Sequence, residues 1–491
     1  MAALKINLSK QQLIQAFLHF LPADTVLFHQ EEITPYECDG LSVYRETPLV
    51  VLLPSDISQV QQILAYCYEN DVPVVARGAG TGLSGGALPH SEGVLLSLAR
   101  FNQVLEVNEL DRSARLQPGV TNLAISNHVK KHGLYYAPDP SSQIACTIGG
   151  NVAENSGGVH CLKYGLTVHN VIAVDIVTIE GERLTVGSEA LDSPGFDLLA
   201  LFNGSEGMLG VIVEVTVKLL PIPPVARVIL AAFNDIGQAG KAVGEIIAAG
   251  VIPAGLEMMD KLSTQAAEDF VHADYPLDAE AILLCELDGE SEQVEAEINL
   301  VMQVLKEQGA SELRLARDEQ QRQLFWKGRK SAFPAVGRIS PDYYCMDGTI
   351  PRKRLPQVLN GIVEMSERYG LQVANVFHAG DGNLHPLILY DAGIPGEIEK
   401  AENLGGEILK LCVELGGTIT GEHGVGVEKI DHMCVQFASL ELTQFHAVKD
   451  AFDHKRLLNP GKAVPTLHRC AELGAMHVHH GELPFPELER F

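Results

Sequence analysis

Two histidines in His378-Ala-Gly-Asp-Gly-Asn-Leu-His385, and a carboxylate beside a third imidazole in Thr420-Gly-Glu422-His423-Gly, are the residues of this chain best suited to chemistry. Two neutral imidazoles and one carboxylate make a metal site with an open position, where a divalent ion also holds a substrate oxygen. His378, His385 and Glu422 are therefore the candidate ligands, and the remaining His423 is the candidate general base. The donor set suits zinc, taken first, and also manganese, iron or cobalt.

These residues need a scaffold. Residues 373–378 alternate like a strand, residues 379–383 carry the Gly, Asp and Asn of a tight turn, and Leu384 onward reads as the return strand. Both histidines then sit at the mouth of a hairpin. Near the start of the chain, residues 49–53 read as a strand and Pro54-Ser55-Asp56 as a helix start. Ile57, Val60, Ile63 and Leu64 follow as a helical stripe to Asn70, and residues 72–76 as a second strand. Next comes Arg77-Gly78-Ala79-Gly80-Thr81-Gly82-Leu83-Ser84-Gly85-Gly86, dense enough in glycine for backbone N–H groups to close around an anion such as pyrophosphate. Gly80, Gly82 and Gly85 match the dinucleotide pattern G-x-G-x-x-G. Residues 94–98 follow as another strand and not as a helix, which argues against the nicotinamide-type fold. Further turn-like clusters lie at Pro138-Asp139, Thr147-Ile148-Gly149-Gly150-Asn151, Ser156-Gly157-Gly158, Tyr164-Gly165 and Gly204-Ser205-Glu206-Gly207, the last running on to Gly210 and Val211. One extended ligand lying over all of them accounts for their density.

With 491 residues, 46% of them hydrophobic and 20% charged, the chain can bury a large core and should divide into at least two domains. A formal charge of -27 argues against nucleic acid and against unaided docking on an anionic membrane. No run of about 18 uncharged apolar residues occurs, and residues 1–10 do not read as a secretion signal, so the cytosol is the expected address. Nine scattered cysteines without a C-x-x-C pair encode no evident zinc ribbon or iron–sulfur cluster and fit a reducing compartment.

Taken together, the loop at residues 77–86, Ile148-Gly-Gly-Asn151, Gly204-Ser-Glu-Gly-Met-Leu-Gly210, the two histidine motifs and Leu458-Asn-Pro-Gly-Lys462 resemble the FAD-linked 2-hydroxyacid dehydrogenases. These belong to the vanillyl-alcohol-oxidase-type flavoproteins and include D-lactate and D-2-hydroxyglutarate dehydrogenases and bacterial glycolate oxidase. Residues 340–351 and the tail at 476–491 resemble the FAD-linked catalytic subunit of the last. The resemblance implies an α+β fold with a two-lobed FAD-binding domain of the vanillyl-alcohol-oxidase (PCMH) type at residues 1–224. It implies a substrate cap at 225–418 and a C-terminal segment, 419–491, that returns to the FAD domain. FAD would lie on Arg77, Gly78, Ala79, Gly80, Thr81, Gly82, Ser84, Gly85, Gly86, Pro138, Asp139, Thr147, Gly149, Gly150, Asn151, Ser156, Gly157, Gly158, Tyr164, Gly165, Glu206, Gly207, Gly210 and Val211. The family's Asn-Pro-Gly brings Asn459 near the flavin ring. No His stands where covalent relatives attach the flavin, which implies noncovalent FAD.

The implied reaction oxidises a 2-hydroxy acid to the 2-oxo acid, with hydride to the flavin and the hydroxyl proton to His423. Arg329, in Trp326-Lys327-Gly328-Arg329-Lys330, is the candidate for the substrate carboxylate, because a guanidinium offers two parallel hydrogen bonds. Relatives that take a dicarboxylic acid carry a Lys a few residues before the position of Pro351. Cys345 and its neighbours supply none, which favours glycolate or D-lactate over 2-hydroxyglutarate. The resemblance also implies a second flavoprotein subunit and an iron–sulfur subunit that pass electrons to quinone and hold the chain at the inner face of the cell membrane. His477, His479, His480, Pro484 and Phe485 are candidates for a docking tail. A D-2-hydroxyacid dehydrogenase acting alone and a noncatalytic flavin-carrying subunit are the alternatives.

Overall fold

The computed structural model describes residues 8–190 and 195–466. The proposed docking tail lies outside the described residues.

The first half holds two large sheets and a two-stranded pairing of Leu134–Tyr135 with Leu220–Pro221. In one, the strands run in the order Val26–Leu27, Val50–Leu52, Val94–Ser97, Val74–Arg77, the last three parallel. Val50, Val51 and Leu52 are all buried, as parallel strands covered on both faces require. The helix Ile57–Glu69 begins where Asp56 accepts a 2.9 Å hydrogen bond from the Gln59 N–H. It buries Val60, Ile63, Leu64 and Cys67, one helical stripe, and each fully buried Val, Leu or Ile contributes roughly 1.5–3 kcal/mol. The glycine-rich loop joins Val74–Arg77 to its parallel neighbour Val94–Ser97 with no helix between them. It is a strand-to-strand crossing. The second sheet is antiparallel, ordered Val104–Asn108, Ser113–Leu116, Val211–Lys218, Val171–Val177, Arg183–Gly187.

The second half is built on a seven-stranded antiparallel sheet in the order Glu312–Leu315, Val225–Phe233, Ala281–Gly289, Gly255–Asp260, Val373–Phe377, Pro386–Tyr390, Asp342–Cys345. Its strands alternate between two cores. Ile229, Ala231 and Phe233 pack under the helices Ile236–Ala248, Ser291–Glu307, Leu355–Tyr369 and Glu397–Glu414. Val228, Leu230 and Ala232 pack under Lys261–Val271, Glu319–Lys330 and Ala332–Val336. With both faces covered, these strands read as continuous apolar runs. Val373–Phe377 and Pro386–Tyr390 form the hairpin expected around the two histidines, closed by pairing of His378 with Asn383.

From residue 425 on, the chain touches both halves: the Val425 and Gly426 N–H groups donate to Glu206. Ile419, Val425, Ile430 and Met433 are still buried in the core of the second half, whereas Val448 and Phe452 pack on the first. The helix Ser439–Phe452 spans both cores. Beyond it Leu458 pairs in parallel with Val74, and the Asn459 N–H donates to the Val74 carbonyl at 2.8 Å. Among the described residues seven cysteines are free thiols.

A polar seam joins the halves. His160 places Nδ1 3.0 Å from Asp139 Oδ2 and Nε2 3.2 Å from Glu286 Oε1. Tyr164 donates its hydroxyl to Asp288 at 2.7 Å, and Lys163 pairs with the same carboxylate. Burial would lower the His160 imidazole, but Asp139 and Glu286 raise it to about 10. A group raised on folding contributes stability that is complete below its unfolded pKa, roughly 6.5, and is lost as pH rises through the folded value. His160→Gln is therefore expected to cost about 3 kcal/mol near pH 6. The gap between wild-type and variant melting should close as pH is raised toward 10. A gap that widens over that range would remove His160 from the seam's energetics.

Candidate active site

A cavity of about 490 Å³ opens between the two halves. Of the residues assigned to FAD, Arg77, Gly78, Ala79, Gly80, Thr81, Gly82, Gly86, Thr147, Gly149, Gly150, Asn151, Ser156, Glu206, Gly207 and Gly210 line it. Gly80 holds φ at +72°, and a Cβ there would run into the Arg77 guanidinium, around which the loop is folded. The hydroxyl of Thr147 and one oxygen of Glu154, both on the wall, are buried without a hydrogen-bond partner, and polar edges of a nucleotide cofactor would satisfy them.

The other residues assigned to FAD stand behind the wall as supports. The Ser84 carbonyl accepts from the N–H groups of Val427 and Glu428, and Gly85 lies against Val427. Pro138 gives its carbonyl to Asn122, and Asp139 is taken by His160, with Gly158 packed close to it. Gly157 makes room for Glu422, Gly165 lies against His169, and Val211 is core. The Tyr164 hydroxyl is used by Asp288. Asn459 donates to the carbonyls of Gly86 and Glu206, at 3.0 and 2.6 Å, and so braces the wall.

At one end of the cavity the wall consists of His385, Glu422 and His423. His378, His385 and Glu422 present one ligand atom each, all within 4.8 Å of one another. Glu422 Oε1 is 3.0 Å from His385 Nε2 and 3.5 Å from His378 Nε2. Bonds of about 2.0–2.2 Å to a central ion are compatible with such separations. Burial would lower His378, but Glu257 and Glu422 hold it well above its ordinary value, so the carboxylates around it set up a negative potential that favours a cation. Against burial, which would raise it, hydrogen bonds from His378 and His385 hold Glu422 well below the usual carboxylate range. Donor chemistry, spacing and charge all fit a divalent cation.

His423 stacks on His385, with ring centroids 5.0 Å apart and planes at 14°. Its Nε2 is 3.9 Å from Glu422 Oε1, and burial pushes the ring down to about 4, so it is neutral. Cys345, His385 and His423 form a second set of donors within 4.8 Å.

Three further residues shape this region without having stood out in the sequence. Asp347, fully buried, accepts from the backbone N–H groups of Gly421 at 3.0 Å, Glu422 at 3.2 Å and His423 at 2.9 Å, and from the Asn383 side chain at 2.8 Å. It locks both histidine motifs to one another. Its only signal is an Asp-Gly directly after the strand Asp342–Cys345. Glu257 accepts from His378 Nδ1 at 2.9 Å. Lys330 lines the cavity from the second half, 3.4 Å from Asp139. Its neighbour Arg329 does not line the cavity. It is 1% exposed, pairs with Glu257 Oε2 at 2.5 Å, and keeps Nε and Nη2 without an aligned hydrogen bond.

Residues 222–463 match the C-terminal domain of FAD linked oxidases, and residues 48–187 match an FAD binding domain. Over 485 residues the chain is 66% identical to glycolate oxidase subunit GlcD of Escherichia coli K12, covering 99% of this chain and 97% of that one. The chain belongs to this family of FAD-linked oxidases. Glycolate oxidase subunit GlcD of Bacillus subtilis is 39% identical over 428 residues, covering 87% of this chain and 91% of the relative. A D-lactate dehydrogenase of Archaeoglobus fulgidus is 33% identical over 422 residues, covering 85% and 92%. Among solved structures, p-cresol methylhydroxylase superposes with a TM-score of 0.79 at 18% identity, covering 93% of this chain and 97% of that one. A 4-ethylphenol oxidase gives 0.78, also at 18% identity, with 94% and 99% covered. The family is FAD-linked, and the fold is the α+β, two-lobed flavoprotein fold of the vanillyl-alcohol-oxidase type.

Proposed function

We propose that this chain oxidises glycolate to glyoxylate, and D-lactate to its 2-oxo acid, as the catalytic subunit of a larger complex. The observation that carries the reading is the meeting of His385, Glu422 and His423 on the wall of the cavity that the FAD-assigned residues line. When bound, noncovalent FAD supplies the two-electron acceptor at ring N5, and a divalent ion on His378, His385 and Glu422 supplies Lewis acidity at the substrate oxygens. His423, neutral, takes the hydroxyl proton at Nε2, the ring atom that approaches Glu422 Oε1. Loss of that proton and of the C2 hydride leaves the 2-oxo acid. Asp347 holds the backbone of residues 421–423, so base and ligands keep one spacing as charge develops. Arg329, expected from the sequence to hold the substrate carboxylate, is instead buried off the cavity wall against Glu257, and Lys330 is the cation of the second half that lines the cavity.

The metal is zinc in the first instance, with manganese, iron or cobalt compatible with the same donors. Two of the named relatives are subunits of glycolate oxidase, which supports onward electron transfer through a second flavoprotein subunit and an iron–sulfur subunit to quinone. Among the described residues no helix is long and apolar enough to cross a membrane. We place the chain in the cytoplasm, at the inner face of the membrane through those partners. Steady-state turnover of glycolate should be slow with dioxygen alone and fast with an artificial dye acceptor. Equal rates with both would contradict the need for partner subunits.

A further inference from the structure

We infer that Glu257 is a positioning residue for the metal site, aiming His378 from behind while tying that ligand to Arg329. Glu257 lies in the central strand Gly255–Asp260 of the seven-stranded sheet, where the neighbouring Met258 pairs with Phe377 at the end of the histidine hairpin. It is 1% exposed, on the sheet face opposite Leu256 and Met258, a position where a carboxylate is costly unless it is paired. Both of its oxygens approach His378 Nδ1, at 2.9 and 3.0 Å, and Oε2 lies 2.5 Å from Arg329 Nη2. The carboxylate accepts a hydrogen bond from Nδ1–H, which fixes the tautomer and leaves the lone pair on Nε2, the atom that faces Glu422. His385 has only the Met346 carbonyl at 3.4 Å in the corresponding place, so the firmer support falls on His378. Arg329 answers the Glu257 charge, so one buried carboxylate connects the candidate ligand to a guanidinium that stands off the cavity wall.

This inference rests on the proposed metal reading, and its test is Zn²⁺ affinity. The FAD-loaded chain, stripped of metal, is titrated with Zn²⁺ against a chromophoric chelator. Glu257→Gln keeps the size of the side chain and removes its charge, and a 10- to 100-fold weaker affinity is expected. Because Arg329 then lacks its counter-charge, the double variant Glu257→Gln/Arg329→Met separates misfolding from mispositioning. It should keep its FAD and its melting behaviour and show the same weakening. Arg329→Met alone should bind Zn²⁺ as the wild type does. Wild-type Zn²⁺ affinity in both Glu257 variants would overturn the inference, as would an equal loss in Arg329→Met, which would mark the pair as a structural unit. A wild-type chain that takes up no Zn²⁺ would overturn the metal reading itself, and this inference with it.

Discussion

Changing His423 to alanine is expected to slow reduction of the bound flavin by glycolate about 10²- to 10⁴-fold, with FAD content at the wild-type level. The range is the usual contribution of a positioned proton acceptor. His423 has the place and the protonation state that such an acceptor needs. Its Nε2 stands 3.9 Å from the carboxylate oxygen on which His378 and His385 converge. Burial pushes its ring down to about 4, so the base form is present throughout the neutral range and no acid limb from His423 is expected above about pH 5. The variant should leave the loop in place, because Asp347 grips the His423 backbone N–H and not the ring. Rapid mixing under anaerobic conditions, with the metal site filled, reads the effect directly. A loss below tenfold would take proton transfer away from His423. A parallel loss of FAD would assign its ring to packing.

Glu422→Gln should have a second effect of similar size, through a different cause. Its Oε1 is the junction of the site, and neutralising it removes the anionic ligand while keeping the shape of the side chain. Metal content by elemental analysis should fall to background, and flavin reduction should fall at least 10³-fold, the sum of lost oxygen polarisation and lost substrate orientation. FAD should stay, since most of the cavity wall comes from the first half of the chain. Full metal occupancy in this variant would remove Glu422 from the ligand set. Normal flavin reduction without metal would remove the ion from the reaction.

What could be read from the sequence was local. The hairpin around His378 and His385 shows as alternation broken by Gly, Asp and Asn, and the structure closes it by pairing His378 with Asn383. The glycine-rich loop could be separated from a nicotinamide-binding turn because the next apolar run is short and β-like, and Val94–Ser97 is indeed a strand parallel to Val74–Arg77. What escaped was long-range pairing. Glu257 reaches His378 across 121 residues and sits in a run, Gly-Leu-Glu-Met-Met-Asp, that reads as an ordinary buried strand with polar interruptions. Asp347 supports Glu422 and His423 from more than seventy residues away. Tyr164 lies beside a glycine turn, and only the docking of the second half reveals that its hydroxyl belongs to Asp288. Arg329 stands out in the sequence for its chemistry, but nothing local shows that its charge is met by Glu257. The double packing of the helix Ser439–Phe452 was equally hidden, because it buries Leu442 in one core and sets Phe452 against the other.

The central claim is that this chain alone removes a hydride from a small 2-hydroxy acid, using a metal site and His423. It is tested most directly by mixing the purified, metal-analysed protein anaerobically with glycolate, D-lactate, L-lactate and D-2-hydroxyglutarate while following the visible absorbance of the flavin. Rapid bleaching by glycolate and D-lactate, lost in His423→Ala and after chelation, is the predicted result. A flavin that stays oxidised with every acid, with the metal site occupied and partner subunits added, would contradict it.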